Sequence, residues 1–123
     1  MTDVLDASAL MAVLNNEPGK DFVFPRLRHA AMSAVNFGEL AVKMAERGVS
    51  LPEIETTLLG FKLDIHAFDT TQAFAAAALR ATTRSRGLSF GDRACLALAA
   101  HLGATALTAD RAWDGLAGVE MIR

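Results

Sequence analysis

The segment Asp3-Val4-Leu5-Asp6-Ala7-Ser8-Ala9-Leu10-Met11-Ala12-Val13-Leu14 decides how the rest of the chain is read. Val4 and Leu5 form a short strand-like run closed by Asp6, and the Ala-, Leu- and Met-rich residues that follow favour a helix. A strand passing directly into a helix is the first half of a parallel crossover unit. The pattern recurs along the chain. After Pro18-Gly19, residues 21–28 predict a short helix disturbed by Pro25. Residues 29–33 predict a second buried strand, and Phe37, Leu40, Ala41, Met44 and Ala45 then define a helical face that ends at Gly48. Ser50-Leu51-Pro52-Glu53 predicts a helix start with Ser as cap and Pro in the first turn, and residues 63–68 alternate like a strand. Residues 70–86 predict one long Ala-rich helix stopped by Gly87, and Ser89-Phe90-Gly91-Asp92 opens another that reaches Leu102. Residues 104–108 and 118–122 predict the fourth and fifth strands, with a short helical turn over 110–116 between them. Alternation of this kind predicts an α/β fold, a parallel sheet with helices on both faces.

Composition narrows the function. The chain has 123 residues, enough for one domain, and 52% of them are apolar, so it can bury a core. No uninterrupted apolar run exceeds the seven residues 73–79 or 94–100, against the roughly 20 needed to cross a bilayer. Asp3 and Asp6 stand where a secretory signal carries basic residues, which predicts a cytoplasmic protein. Cys95 is the only cysteine and is expected to serve in packing. A net charge of −2 offers no overall attraction for a polyanion, so nucleic-acid binding must rely on local charge.

Four acids fall on one predicted sheet edge: Asp6 after the first strand, Glu39 in the helix after the second, Asp92 at the start of the helix before the fourth, and Asp110 after the fourth. In open sheets, ligands sit beyond the carboxyl ends of the strands. Each acid also has a capping reading, with Asn36-x-x-Glu39 and Ser89-x-x-Asp92 in the form of capping boxes. Capping does not require the four to converge, whereas a hard divalent cation needs carboxylate oxygens held together.

The blocks Val4-Leu5-Asp6-Ala7-Ser8-Ala9-Leu10, Ser33-Ala34-Val35-Asn36-Phe37-Gly38-Glu39-Leu40, Leu88-Ser89-Phe90-Gly91-Asp92-Arg93-Ala94-Cys95-Leu96-Ala97-Leu98-Ala99 and Leu107-Thr108-Ala109-Asp110-Arg111-Ala112-Trp113 together resemble the PIN-domain ribonucleases, specifically VapC-type toxins. The resemblance spans nearly the whole chain. It implies a single PIN-like domain over residues 1–123 with a five-stranded parallel sheet, a Mg²⁺- or Mn²⁺-dependent endoribonuclease activity, a cognate VapB-type antitoxin and a homodimer. Asp6, Glu39, Asp92 and Asp110 match the family's acidic positions, as metal ligands and catalytic groups.

Such a site needs no nucleophilic side chain, because cations on carboxylates can polarise a phosphodiester and activate water. Ser8 and Thr108 are candidate supports for a carboxylate, with local backbone bonding the competing role. Arg84, Arg86, Arg93 and Arg111 are candidate RNA contacts, since the guanidinium fork suits phosphate, although Arg93 and Arg111 can equally brace the neighbouring acids. Arg80 is expected on a solvated face as readily as on RNA, and Asp114 stays outside the site. His29, His66 and His101 lack metal or triad spacing, and Trp113 is expected in the core. A receiver domain with Asp69 as acceptor is disfavoured because no Lys follows Lys62, and an Asp-x-Asp phosphatase because Ser8 holds the second position. A DNA nuclease of related fold lacks room for duplex-gripping insertions. The main rival is a catalytically silent PIN-scaffold binding module, for which a broken acidic set is expected.

Overall fold

Val4 and Leu5 are neighbours in sequence and both fully buried, yet they enter different cores. The period-2 alternation of a strand requires this when helices cover both sheet faces. The computed structural model describes residues 2–123. Its strands are β1 (Asp3–Leu5), β2 (Ala30–Ser33), β3 (Asp64–His66), β4 (Thr105–Thr108) and β5 (Val119–Met121). They form one sheet in the order β3-β2-β1-β4-β5, with every adjacent pair parallel.

Seven α-helices accompany the sheet among the described residues: α1 (Ala7–Leu14), α2 (Lys20–Val23), α3 (Ala34–Glu46), α4 (Leu51–Gly60), α5 (Thr70–Ala78), α6 (Arg80–Thr83) and α7 (Phe90–Leu102). One core packs Leu5, Met32 and Leu107 of the strands against Leu10 of α1, Leu40 of α3 and Ile54 and Leu58 of α4. The other packs Val4, Ala31 and Ala106 against Cys95, Leu96, Leu98 and Ala99 of α7, with Trp113 closing it. The small Ala side chains on this second face let α7 lie close to the sheet. Trp113 is fully buried, as its sequence context predicts.

Several boundaries depart from sequence expectation. The helix predicted over 21–28 is four residues of α2, after which Pro25 forces a 3-10 turn through Phe24–His29. The strand predicted over 63–68 narrows to Asp64–His66 at the sheet edge. The single helix predicted over 70–86 breaks after Ala78 into α5, α6 and the 3-10 turn Arg84–Arg86. There Thr82 and Thr83 return their hydroxyls to the Leu79 carbonyl, at 3.1 and 2.7 Å, and compete with the backbone ladder. Gly87 ends the segment at φ +68°, a conformation suited to glycine.

Leu107 is fully buried in β4, between β1 and β5. Leu107→Ala is expected to lower unfolding stability by about 2–5 kcal/mol in urea denaturation, the range for a cavity in a packed core. A loss below about 1 kcal/mol would show that the helical layer collapses onto the gap.

Candidate active site

The sheet reverses direction of growth at β1: β2 and β3 lie on one side, β4 and β5 on the other. The ends of β1 and β4 therefore flank the crevice in which a doubly wound sheet presents ligands. Asp6 and Asp110 emerge there. Asp6 is 5% exposed and caps α1, accepting from the Ala9 N–H at 2.8 Å. Ser8 donates its hydroxyl to the same oxygen at 2.7 Å, and Thr108 of β4 donates to the other at 2.5 Å. Both hydroxyl protons are thus committed to Asp6, so the 3.4 Å approach of Ser8 Oγ to Thr108 Oγ1 is a contact between acceptors. Those oxygens accept in turn: Ala109 N–H donates to Ser8 at 2.9 Å and Asp110 N–H to Thr108 at 3.0 Å. Asp110 is exposed and accepts from Ala112 N–H at 3.0 Å, capping the 3-10 turn Arg111–Trp113.

Burial pushes the Asp6 carboxyl above its ordinary value near 3.8, the bonds from Thr108, Ser8 and Ala9 oppose this, and the charge of Asp92 adds to the rise. Desolvation wins over three donors. The same charge reaches Cys95, whose fully buried thiol is pushed well up by desolvation and then by Asp6, Asp92 and Glu39. Three acids from three separate elements therefore act on one thiol beneath α7.

Glu39 approaches α7 at a glycine, Gly91. Asn36 donates its Nδ2 protons to Glu39 Oε1 at 3.0 Å and to the Gly91 carbonyl at 2.9 Å, joining α3 to α7. A Cβ on Gly91 would stand 2.7 Å from Glu39 Cδ, so only glycine admits the carboxylate at that spot. Asn36 is not a helix cap as its spacing predicts. Ser33 caps α3, accepting from Val35 N–H at 3.2 Å, and Asn36 is turned inward, 2% exposed, with its Oδ1 buried and without a hydrogen-bond partner. In sequence its spacing to Glu39 reads as a cap, and the contrary signal is its place four residues before Leu40, on the face of α3 that is buried. The Ser89 and Asp92 capping box is present, with Ser89 N–H donating to Asp92 Oδ2 at 2.9 Å and Asp92 N–H to Ser89 Oγ at 3.2 Å.

The charges of Asp6, Asp92 and Glu39 all reach Cys95, and Asp110 donates its N–H to the Thr108 hydroxyl that bonds Asp6. Among the described residues, no three metal-ligating side chains stand close enough to hold one ion. The donor chemistry nevertheless fits a hard divalent cation: the side-chain donors are oxygens, one carboxylate is buried and disfavoured as an anion, and Asn36 Oδ1 lacks a partner. Glu39 is exposed to solvent as well as bonded to Asn36.

The arginines divide. Arg86 is tied down, donating from Nη1 to the carbonyls of Asp114 at 2.6 Å and Ala112 at 3.3 Å, so it braces the turn after β4. Arg93 Nε donates to Thr83 Oγ1 at 3.3 Å, Arg111 lies 3.8 Å from Asp114, and Arg84 is exposed. His66 pairs with Asp64 at 2.8 Å, and His29 and His101 are exposed.

A family model described as the PIN domain matches residues 4–119. Solved structures share the fold at low identity. A chain of a toxin-antitoxin complex from Klebsiella pneumoniae superposes with a TM-score of 0.80 at 17% identity, covering 98% of both chains. DNA-bound VapBC from Salmonella typhimurium gives 0.76 at 18%, covering 100% of this chain and 99% of that one. VapBC-5 of Mycobacterium tuberculosis, described as a member of a toxin-antitoxin family, gives 0.61 at 25%, covering 99% and 98%. Curated protein sequences give no match.

Two outcomes follow from this geometry. Asp6→Asn keeps the oxygen that caps α1 and removes a disfavoured charge, so the metal-free variant is expected to equal or exceed wild type in stability at pH 7. A raised folded pKa means that the native state takes up its proton first as pH falls, so the variant's advantage should shrink through that pKa. Denaturation curves from pH 7 to pH 4 check the sign; an advantage growing toward acid would contradict it. Gly91→Ala should leave the denaturation midpoint nearly unchanged, because Ala suits a helix and the obstructed atoms end a flexible side chain. It should displace the Glu39 carboxylate and weaken Mn²⁺ binding, measured by calorimetry. Wild-type affinity in this variant would place Glu39 outside the site.

Proposed function

The chain belongs to the PIN-domain family, and from that premise we propose that it is a divalent-metal-dependent endoribonuclease, the toxin of a VapBC-type toxin–antitoxin pair. The observation that carries the chemistry is Asp6: a carboxylate buried at the sheet's switch point, with the charge of Asp92 acting on it and that of Glu39 reaching the nearby Cys95. An unpaired acid in such a place is costly to the fold, and perturbed groups of this kind mark functional sites.

Asp6, Glu39 and Asp92 would hold Mg²⁺ or Mn²⁺, with Asp110 completing the set. When bound, the ion supplies Lewis acidity at a phosphoryl oxygen and lowers the pKa of an attacking water. Ser8 and Thr108 fix the plane of the Asp6 carboxylate through the two hydroxyls they direct at it. Asn36 orients Glu39, and the capping bonds to Asp92 and Asp110 hold those side chains near their helix starts while occupying one oxygen of each. Arg84 and Arg111, both exposed, offer guanidinium groups to the RNA backbone. Because Asp6 must be ionised to hold a cation while burial favours its protonated form, cation affinity should rise with pH.

An antitoxin partner is supported by the fold shared with chains of toxin-antitoxin complexes. Phe24, Val42, Leu51, Leu59 and Phe74 are all more than half exposed, apolar surface that supports both antitoxin binding and a homodimer. No helix among the described residues is long and apolar enough to cross a membrane, which is compatible with action in the cytoplasm.

Metal-stripped protein incubated with structured, tRNA-like and unpaired RNAs should cleave only after Mg²⁺ or Mn²⁺ is restored, and chelator should stop it. Asp92→Asn should lower the rate more than about 100-fold, beyond the loss caused by a residue that only orients a ligand. Cleavage persisting in chelator would overturn the metal mechanism. Absence of cleavage on every RNA with either cation would assign the chain to a silent binding module.

A further inference from the structure

Phe90 is 57% exposed although it stands two residues before Asp92, in the first turn of α7. Single exposed apolar residues are ordinary, but this ring is held in place. Phe68 meets it edge to face, with centroids 5.3 Å apart and planes at 80°. Beside it a cleft of about 210 Å³ opens between α5 and α7, lined by Ala73, Ala76, Ala77, Arg80, Phe90 and Arg93. The floor is alanine, one wall is aromatic, and both polar members are guanidinium groups. Arg93 is steadied by its Nε bond to Thr83 Oγ1, while Arg80 is exposed. No acid occurs from residue 70 to residue 91, a stretch that carries three arginines. Of these, Arg80 joins Arg93 at the cleft, so its charged lining is wholly cationic.

A flat apolar surface flanked by arginines suits an unpaired base and its phosphates: the ring takes the π-face and the guanidinium groups take the backbone. The helical turn between Phe90 and Asp92 places the two on different sides of α7, about 3 Å apart along its axis. An RNA strand that meets both must cross the N-terminal end of α7. We propose that this cleft is a nucleobase subsite, in which Phe90 stacks on one unpaired base of an RNA strand and Arg80 and Arg93 hold the adjacent phosphates. The proposal rests on the nuclease reading and adds a preference to it: the nucleotide held in the cleft must be unpaired, because a base within a helix presents no face for stacking.

The test uses the full chain in chelator, so that binding is read without cleavage. Fluorescence anisotropy measures the affinity for a labelled unpaired RNA oligonucleotide and for its perfect duplex. Phe90→Leu keeps apolar bulk and removes the π-face; Phe90→Trp keeps a π-face. Phe90→Leu is expected to weaken binding of the unpaired strand about tenfold with little change for the duplex, and Phe90→Trp to stay within about threefold of wild type. Arg80→Gln should reduce the log–log salt slope for the strand by about 0.7. The denaturation midpoint should be unaltered in Arg80→Gln, whose side chain is exposed, and should fall in Phe90→Leu only by the lost edge-to-face contact with Phe68. Equal affinity of wild type and Phe90→Leu for the unpaired strand, or equal losses on strand and duplex, would overturn the subsite and leave the nuclease reading standing. A change confined to self-association, or to affinity for a protein partner, would assign the face to a protein interface instead. Wild type binding neither RNA in chelator would overturn the subsite, while failure to cleave any RNA with Mg²⁺ or Mn²⁺ restored is what overturns the nuclease reading.

Discussion

The burial of the Asp6 carboxylate at the junction of β1 and β4 is the constraint on which the rest of the site depends. A charge removed from water must be compensated locally, and here three donors converge on it from α1 and β4. Those donors are themselves supported, because Ser8 and Thr108 accept from the N–H groups of Ala109 and Asp110. One carboxylate thereby starts α1, ties it to β4 and sets the direction of the chain toward Asp110. Compensation is incomplete, since desolvation still outweighs the bonds. A bound cation would supply what the hydrogen bonds do not.

Glu39 is placed by a different device. Asn36 spans α3 and α7 by donating to Glu39 and to the Gly91 carbonyl, and the missing side chain at Gly91 is what leaves space for Glu39. Capping and metal binding are not exclusive readings in this arrangement. Asp6, Asp92 and Asp110 all take part in caps, and such bonds hold an acid at a helix start. The same local geometry that stabilises helix starts places carboxylates around the crevice.

Charge on the remaining surface is apportioned rather than uniform. Arg86 spends its guanidinium on two backbone carbonyls of the turn after β4 and acts as scaffold. Arg84 is left to solvent, and Arg80 and Arg93 line the cleft beside Phe90. Arginines adjacent in sequence thus perform different work, according to which carbonyls and hydroxyls the fold brings within reach.

The sequence alone determined the α/β class, the parallel order implied by strand–helix alternation, the capping roles of Ser50, Ser89, Asp6 and Asp110, and the membership of Trp113 in the core. These depend on periodicity and on bonds between residues two to four apart, and consecutive residues encode both. Tertiary structure decided the rest. Bonds between residues 55 and 102 apart in sequence, Asn36 to Gly91 and Thr108 to Asp6, have no local signature, so Asn36 reads as a cap until α7 is packed against it. The break after Ala78 was likewise hidden, because an alanine-rich run favours one long helix while two threonines returning their hydroxyls to Leu79 accompany a shorter one. How near the acids stand to one another, and which arginines are free, are matters of packing, since the burial that shifts Asp6 and the carbonyls that hold Arg86 come from elements that meet only when the chain has folded.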